Sequence, residues 1–333
     1  MMKEILKKWG LFIVVLLLST AIMVGCGTQE QSTQDENHGG EEAAVSNGKE
    51  SGQEFPVTIT DDANRKVTID AEPEKIVSIQ ASNTEIAFAL GLGDKIIGVS
   101  DYCNYPEEAL KIEKVGAQDI NAERVLTLLP DIALVTDYHY KTHPEILKQF
   151  EEAGIDVIVV GSAESFKDVY SNIEMIGKAT GSETEAKEIV SDMKQRLNTI
   201  KEKAAEEIKD KKKVWVEVSP APDIFTTGTH TFMHEMLESI QAVNAAEKHE
   251  GWVKLTEEEI VKLNPDVIIT TYGYYVENPR DQVLGREGWT EVPAVKNEQV
   301  FDVDNDTVTR PGPRLIEGVE TLAELIYPEV FKQ

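Results

Sequence analysis

Short apolar runs alternate with segments of helical periodicity along most of the chain. The runs at 131–136, 156–161 and 266–271 (DIALVT, DVIVVG and DVIITT) are typical of strands buried on both faces of a parallel sheet. Apolar residues recur at helical spacing in residues 121–129, before the run at 131–136, and in residues 144–153, before the run at 156–161. A chain that alternates helices with such strands is predicted to have an α/β fold.

The folded part is predicted to begin near Phe55. Residues 55–70 alternate in polarity on either side of the turn sequence DDAN, which predicts a β-hairpin. The stretch from Ser82 to Glu85 (SNTE) has the form of a capping box, and Gly91 is a suitable end for the helix it would start.

Residues 166–209 interrupt the helix–strand alternation. Residues 183–208 are strongly charged but keep one apolar stripe, and a single helix of that length would span about 39 Å. We therefore predict an N-terminal lobe at 55–165, an inter-lobe helical segment at 166–209 and a C-terminal lobe at 210–333, with one long helix as the connection.

Two stretches of the chain resemble one another. Residues 121–140 (NAERVLTLLPDIALVTDYHY) and 256–275 (TEEEIVKLNPDVIITTYGYY) align without a gap and are identical at six positions, including Glu123 and Glu258. Each glutamate falls in the first turn of a predicted helix, where the helix dipole alone favours a carboxylate. Matched carboxylates on two lobes would also suit a two-fold symmetric partner.

The N-terminus has the pattern of an export signal. Residues 1–25 combine a lysine-rich start with an apolar stretch too short for a comfortable membrane span. They end in MVGC, which resembles a lipobox that would lipidate Cys26; an uncleaved membrane anchor is the alternative. Residues 26–54 then predict a lipidated, disordered tether. The protein is expected on the extracytoplasmic face of the cell membrane.

Charge and cysteine content narrow the possibilities. A net charge of −27 argues against nucleic acid as a partner. After cleavage and lipidation only Cys103 remains as a thiol, so no intrachain disulfide is expected, and we interpret Cys103 as a small, half-buried residue.

The sequence carries no recognisable catalytic motif. It has no G-x-S-x-G, Walker, G-x-G-x-x-G or H-E-x-x-H pattern, which argues against an enzyme, although a secreted two-lobed enzyme stays an alternative. His230 and His234 have metal-ligand spacing, as do His139 and His143. A pair without a third ligand is weak evidence, so no metal site is predicted, and a zinc receptor is kept only as a minor alternative.

Aromatic residues cluster just after predicted strands. Ligands of parallel α/β proteins bind beyond the carboxyl ends of the strands, so two aromatic rims facing across a cleft would hold a large flat ligand. A place in the core fits any one of these residues equally well. The residues concerned are Tyr102, Tyr138, Tyr140, Phe225, Trp252, Tyr272, Tyr274 and Tyr275.

Four segments, at 82–115, 121–136, 251–270 and 309–318, resemble the substrate-binding proteins of ABC importers for iron-siderophores, haem and cobalamin. They are most similar to the BtuF-type cobalamin-binding proteins. The resemblance implies two Rossmann-like lobes joined by a rigid helix, little lobe closure, no catalysis and no cofactor. It also implies a monomer that delivers a small molecule to an ABC permease dimer with its ATPase subunits.

The resemblance also implies roles for particular residues. The corrin-contacting positions of the family fall on Tyr102, Phe225, Trp252, Asp306 and Arg310. Its docking glutamates, which meet arginines of the permease dimer, fall on Glu123 and Glu258.

The chain departs from this pattern near Gln118. There it reads GAQDI where cobalamin binders carry a tryptophan. We expect a corrinoid receptor, with a ferric siderophore or haem as the alternative ligand. The run RPGPR at 310–314 would pair with an anionic ligand, or Arg314 would anchor its own helix.

Overall fold

The computed structural model describes residues 53–332. The signal segment, Cys26 and most of the tether lie outside this range. In the described part of the chain, none of the helices combines the length and the apolar character needed to cross a membrane.

Twelve strands are present among the described residues. They are β1 Val57–Thr60, β2 Lys66–Ile69, β3 Ile76–Ser78, β4 Ile96–Val99, β5 Ile132–Thr136, β6 Asp156–Val160, β7 Lys213–Glu217, β8 Phe225–Thr227, β9 Val243–Asn244, β10 Trp252–Lys254, β11 Val267–Thr270 and β12 Val300–Asp302.

The α-helices connect these strands. They are α1 Ala81–Ala89, α2 Ala122–Leu128, α3 Asp137–Thr142, α4 Pro144–Glu152, α5 Phe166–Thr180, α6 Glu183–Glu207, α7 Phe232–Ser239, α8 Glu257–Leu263, α9 Pro279–Leu284, α10 Pro293–Lys296, α11 Asn305–Thr309, α12 Leu315–Ile326 and α13 Pro328–Phe331.

The strands form two separate parallel sheets, one in each lobe. The N-terminal sheet has the order β4-β3-β5-β6 and the C-terminal sheet has the order β12-β11-β7-β9. The predicted hairpin β1–β2 is present, and β8 pairs with β10 in a second antiparallel ribbon that the sequence did not predict. The α/β prediction with two lobes is therefore confirmed.

Helix α6 is the predicted long helix, 25 residues or about 37 Å in length. Its buried stripe recurs every three to four residues and packs against α5, α7 and α12. Arg196 on this helix forms a two-pronged ion pair with Glu320 on α12, at 2.9 and 2.7 Å. One hydrophobic cluster includes Ile76 of the first sheet, Met193 of α6 and Val267 of the second sheet, so the two lobes share a continuous core. The residue boundaries of the lobes stay predictions.

The two similar stretches fold into equivalent units. Helices α2 and α8 are both seven residues long, and each ends in a left-handed residue, Leu129 at φ 51° and Asn264 at φ 53°. Asp131 and Asp266 follow. The Asp131 carboxylate accepts from the two backbone N–H groups just before β3, and the Asp266 carboxylate accepts from the first backbone N–H group of β7. The repeated sequence thus encodes a repeated turn.

The predicted capping box at Ser82 is wrong. Helix α1 begins at Ala81, and no side chain caps its N-terminus. Ser82 lies inside the first turn, and Glu85 turns away from the backbone to bind two arginines of the other lobe. This long-range electrostatic demand outweighs the local capping preference.

A buried ion pair organises the C-terminal sheet. The Glu217 side chain is fully buried and accepts hydrogen bonds from Arg286 at 2.5 and 2.9 Å and from the Tyr272 hydroxyl at 2.6 Å. Burial and the neighbouring Glu217 raise the pKa of Tyr272, which stays protonated as a donor. Tyr272 is therefore a core residue, which decides between the core and rim placements that the sequence left open.

We expect Arg286→Met to destabilise the protein by about 3–5 kcal/mol, because it leaves the Glu217 carboxylate buried without its cation. The matched control is Lys148→Met, which breaks an exposed pair with Glu152 and should cost at most about 0.5 kcal/mol. Urea unfolding followed by circular dichroism measures both. Equal losses in the two variants would contradict the assignment of Glu217 as a buried charge that depends on Arg286.

Candidate ligand-binding cleft

A cavity of about 720 Å³, which we call the outer cavity, lies between the carboxyl ends of the two sheets. Its N-terminal wall comes from the segments after β3 and β4, including Gln80 and Tyr102. Its C-terminal wall comes from the segments after β11 and β12, including Tyr274 and Asp306. This is the position where parallel α/β proteins bind ligands, and the two walls belong to different lobes.

Two exposed tyrosines line this outer cavity from opposite sides. Tyr102 is 70% exposed and Tyr274 is 75% exposed. Tyr274 is also held edge-on against Tyr275, with ring centroids 4.7 Å apart. Large aromatic faces left open in a cavity gain most when a ligand covers them.

A smaller pocket of about 190 Å³ adjoins the outer cavity and shares Gln80, Thr309 and Pro311 with it. We call it the inner pocket. Trp252 on β10 lines it and is 56% exposed. Phe225, at the start of β8 on the same ribbon, is exposed but lines neither of these two cavities.

Arg310 spans the cleft and is satisfied by the protein itself. Its guanidinium donates to Glu85 of the N-terminal lobe, to the Asn104 side chain at 2.9 Å and to Asp306 at 2.8 Å. Asn104 donates in turn to the second oxygen of Asp306 at 2.8 Å. The predicted binding residues Asp306 and Arg310 therefore lie together at the cavity, already engaged with each other.

A second arginine completes this arrangement. Arg314 donates to both oxygens of Glu85, at 2.9 and 2.8 Å, and its guanidinium lies 3.7 Å from the centre of the Tyr105 ring. Burial disfavours its charge, but the bonds to Glu85 more than compensate and raise the pKa of Arg314. We call Glu85, Arg310 and Arg314 the Glu85 clamp; sequence reasoning missed its centre by assigning Glu85 to a helix cap.

The outer cavity is acidic. Asp302, Asp304 and Asp306 line it, and the one cation among its lining residues is Arg310, which is committed to the clamp. A low-dielectric cleft lined by one sign of charge disfavours a ligand of the same sign. The cavity is therefore better suited to neutral or cationic ligands than to anionic ones.

The periplasmic binding protein family matches residues 76–307. The chain belongs to this family. It is 48% identical to the uncharacterized ABC transporter substrate-binding lipoprotein YvrC of Bacillus subtilis, over 98% of this chain and 99% of that protein. The protein is thus an ABC transporter substrate-binding protein and not an enzyme. Membership implies a small-molecule ligand and a permease with ATPase subunits as partners.

Two solved structures are also similar. The first is a possible iron-binding (periplasmic solute-binding) protein from Staphylococcus epidermidis, 34% identical with a TM-score of 0.68, covering 77% of this chain and all of that one. The second is the periplasmic vitamin B12-binding protein BtuF of Vibrio cholerae, 27% identical with a TM-score of 0.64, covering 78% of this chain and 99% of that one.

Glu123 and Glu258 of this periplasmic binding protein occupy equivalent places. Both are exposed in the first turns of α2 and α8. Glu258 accepts a hydrogen bond from Lys262 at 2.7 Å, and this bond lowers the pKa of Glu258. Neither carboxylate is needed as a cap, because Asn121 and Thr256 accept from the backbone at the two helix starts.

The histidines play local roles. His230 precedes α7 and is exposed, whereas His234 lies on α7 near Asn244 and Glu238, so they do not share a helix face. His139 is buried; its Nδ1 accepts from the Thr136 N–H and its Nε2 donates to the Ala117 carbonyl, and burial lowers its pKa. No group of three or more His, Cys, Asp or Glu side chains in residues 53–332 is placed to hold a metal ion.

The remaining predictions have mixed outcomes. Tyr138 packs edge-on against His139, and Tyr140 lines a separate cavity under the Arg65 guanidinium, so neither lines the outer cavity or the inner pocket. Cys103 is fully buried, beyond the half-buried expectation, with its Sγ 3.1 Å from the Thr84 hydroxyl. Burial raises the pKa of Cys103, which disfavours a reactive thiolate.

We expect Glu85→Gln to destabilise the protein by about 2–4 kcal/mol, because Arg310 and Arg314 then lose their shared buried anion. Glu107→Gln, an exposed change of the same kind, should stay within about 0.5 kcal/mol. Chemical unfolding gives both values. If Glu85→Gln left stability unchanged, the clamp would not be a stabilising link between the lobes.

Proposed function

We propose that this protein captures a corrinoid in the inter-lobe cleft and delivers it to an ABC importer. The observation that carries the proposal is the pair of open tyrosine faces, Tyr102 and Tyr274, on opposite walls of a 720 Å³ cavity. Such an arrangement suits a large, flat ligand. The 27% identity to a vitamin B12-binding protein over most of both chains supports the same ligand class.

The charge of the cavity supports a corrinoid over the alternatives. Corrinoids carry neutral carboxamides around the ring, whereas haem carries carboxylates and ferric catecholates are anionic. Asp302 and Asp304, which line the outer cavity beside the Arg310–Asp306 pair, disfavour the anionic ligands. An iron complex is kept as the second candidate because of the 34% identity to a possible iron-binding protein.

In this proposal Tyr102 and Trp252 contact the ligand through their exposed faces. Phe225, on the same ribbon as Trp252 but outside both cavities, contacts a part of the ligand that extends beyond them. Arg310 and Asp306 have a different part. Because Arg310 binds both Asp306 and Glu85, Arg310 and Asp306 together present a neutral, hydrogen-bonding wall and add little free charge. The missing tryptophan near Gln118 is offset by Tyr274, which supplies aromatic surface on the opposite wall.

Docking on the permease is assigned to Glu123 and Glu258. Their equivalent positions on α2 and α8 fit a partner with two-fold symmetry that offers a basic pocket to each carboxylate. Lipidation of Cys26 would tether the receptor near the membrane, in keeping with the lipoprotein YvrC, which is similar over 98% of the chain. The receptor acts as a monomer.

We expect the protein to bind cyanocobalamin, and Tyr102→Ala and Trp252→Ala each to weaken binding about tenfold through loss of stacked aromatic surface. Absorbance titration and calorimetry measure the affinities. Tyr138→Ala, at an exposed aromatic side chain that lines neither the outer cavity nor the inner pocket, is the control. Failure of the wild-type protein to bind cyanocobalamin at micromolar concentration, with binding of haemin or a ferric siderophore instead, would refute the corrinoid assignment.

The double variant Glu123→Ala with Glu258→Ala is expected to keep its ligand affinity and to lose most uptake in cells, because the docking contacts are removed. Glu145→Ala with Glu188→Ala changes two exposed glutamates elsewhere and matches the change in charge. Radiolabelled uptake separates the two double variants. Transport at the wild-type rate by the first would rule out the docking role.

A further inference from the structure

The inner pocket differs in chemistry from the outer cavity. Its lining residues, all within the described part of the chain, include no charged side chain. Most of its polar side chains come from the carboxyl ends of β3, β5 and β6 and from α5, and Trp252 is its main aromatic wall. The polar members include Ser82, Asn83, Thr136, Ser162 and Asn172.

Most of these polar groups are already occupied. The Thr136 hydroxyl lies 3.0 Å from His139, the Ser162 hydroxyl donates to Asp137 at 3.0 Å, and the Asn172 amide donates to the Gly161 carbonyl at 3.1 Å. Hydrogen bonds within the protein thus hold these side chains of the pocket wall in place.

Asn83 is the exception. It is only 2% exposed, it lines the pocket, and its Nδ2 is buried without a hydrogen-bond partner among residues 53–332. Burying an amide donor without a partner typically costs ~1–3 kcal/mol, so such groups are rare in folded proteins. A polar group kept at this cost, in a neutral pocket next to a ligand cleft, is expected to serve a ligand.

We infer that the inner pocket receives a neutral carboxamide arm of the ligand, hydrogen-bonded to the Asn83 side chain. A carboxamide carries both a donor and an acceptor, as asparagine does, so it can pair with whichever atom the Asn83 amide presents to the pocket. A carboxylate arm would enter a pocket that offers no cation, at a high desolvation cost. The inference rests on the proposed corrinoid function and names the group that discriminates among such ligands.

The test compares Asn83→Leu with the wild-type protein in binding cyanocobalamin. Loss of the hydrogen bonds should weaken binding about tenfold. The unfolding midpoint should stay equal or rise, because leucine replaces an unpaired buried amide with an apolar group of similar size. A purely structural asparagine would give the reverse pattern. Asn198→Leu, on the exposed face of α6, is the matched control and should change neither quantity. Asn83→Ala decides the outcome if the leucine variant does not fold.

A second readout identifies the arm. Cyanocobalamin derivatives in which single carboxamides have been hydrolysed to carboxylic acids are titrated one by one. For the wild-type protein, the derivative altered at the arm in the inner pocket should bind at least tenfold more weakly than cyanocobalamin. In Asn83→Leu, the dissociation constant of that derivative divided by the dissociation constant of cyanocobalamin should be smaller than in the wild-type protein, as expected for two groups in direct contact.

The outcomes separate the two claims. If the wild-type protein does not bind cyanocobalamin, the proposed corrinoid function fails, and the pocket assignment fails with it. If the wild-type protein binds but Asn83→Leu binds within twofold of it, the function stands and the inference about the inner pocket is overturned. Uniform affinity for all the acid derivatives overturns it as well.

Discussion

One carboxylate, that of Glu85, ties the two lobes together at the cleft. It is almost fully buried and accepts hydrogen bonds from Arg310 and Arg314, which lie 225 and 229 residues further along the chain. Two guanidinium groups on one carboxylate leave an excess of positive charge. Asp306 binds Arg310 at 2.8 Å, and Asp304 lies 4.0 Å from Arg314. Two of the three aspartates that line the outer cavity thus lie where they offset the positive charge of the link between the lobes.

The shared hydrophobic core is a second connection between the two lobes. Helix α6 buries one face along its whole length and is joined to α12 by the Arg196–Glu320 pair, so the two sheets are held by apolar contacts behind the cleft as well as by the clamp within it. Side chains after β4 and β12 meet across the cleft because both elements are held from two sides. The cleft walls are therefore held by contacts within the protein, which lowers the ordering cost of binding.

The features that sequence could predict depend on local physics. Continuous apolar runs identified the parallel strands, helical periodicity identified α6, and the aligned stretches identified the equivalent α2 and α8 units. The features that it missed depend on distant partners. Glu85 looked like a capping residue until its arginines were found on the other lobe, and Tyr272 fitted a rim or a core position until Glu217 and Arg286 were found to hold it in the core. Asn83 stood in a recognised segment, but no pattern in the sequence reveals that an amide lacks a partner.

The repeated turn after α2 and α8 carries unequal backbone strain in the two lobes. Both turns need a left-handed residue before the proline. Asn264 adopts this conformation at little cost, whereas a leucine in the same region carries roughly 1–2 kcal/mol of backbone strain. Leu129 is also 67% exposed, so burial of its side chain offsets little of that strain. The same turn geometry therefore costs the N-terminal lobe a backbone strain that the C-terminal lobe avoids by placing asparagine at the left-handed position.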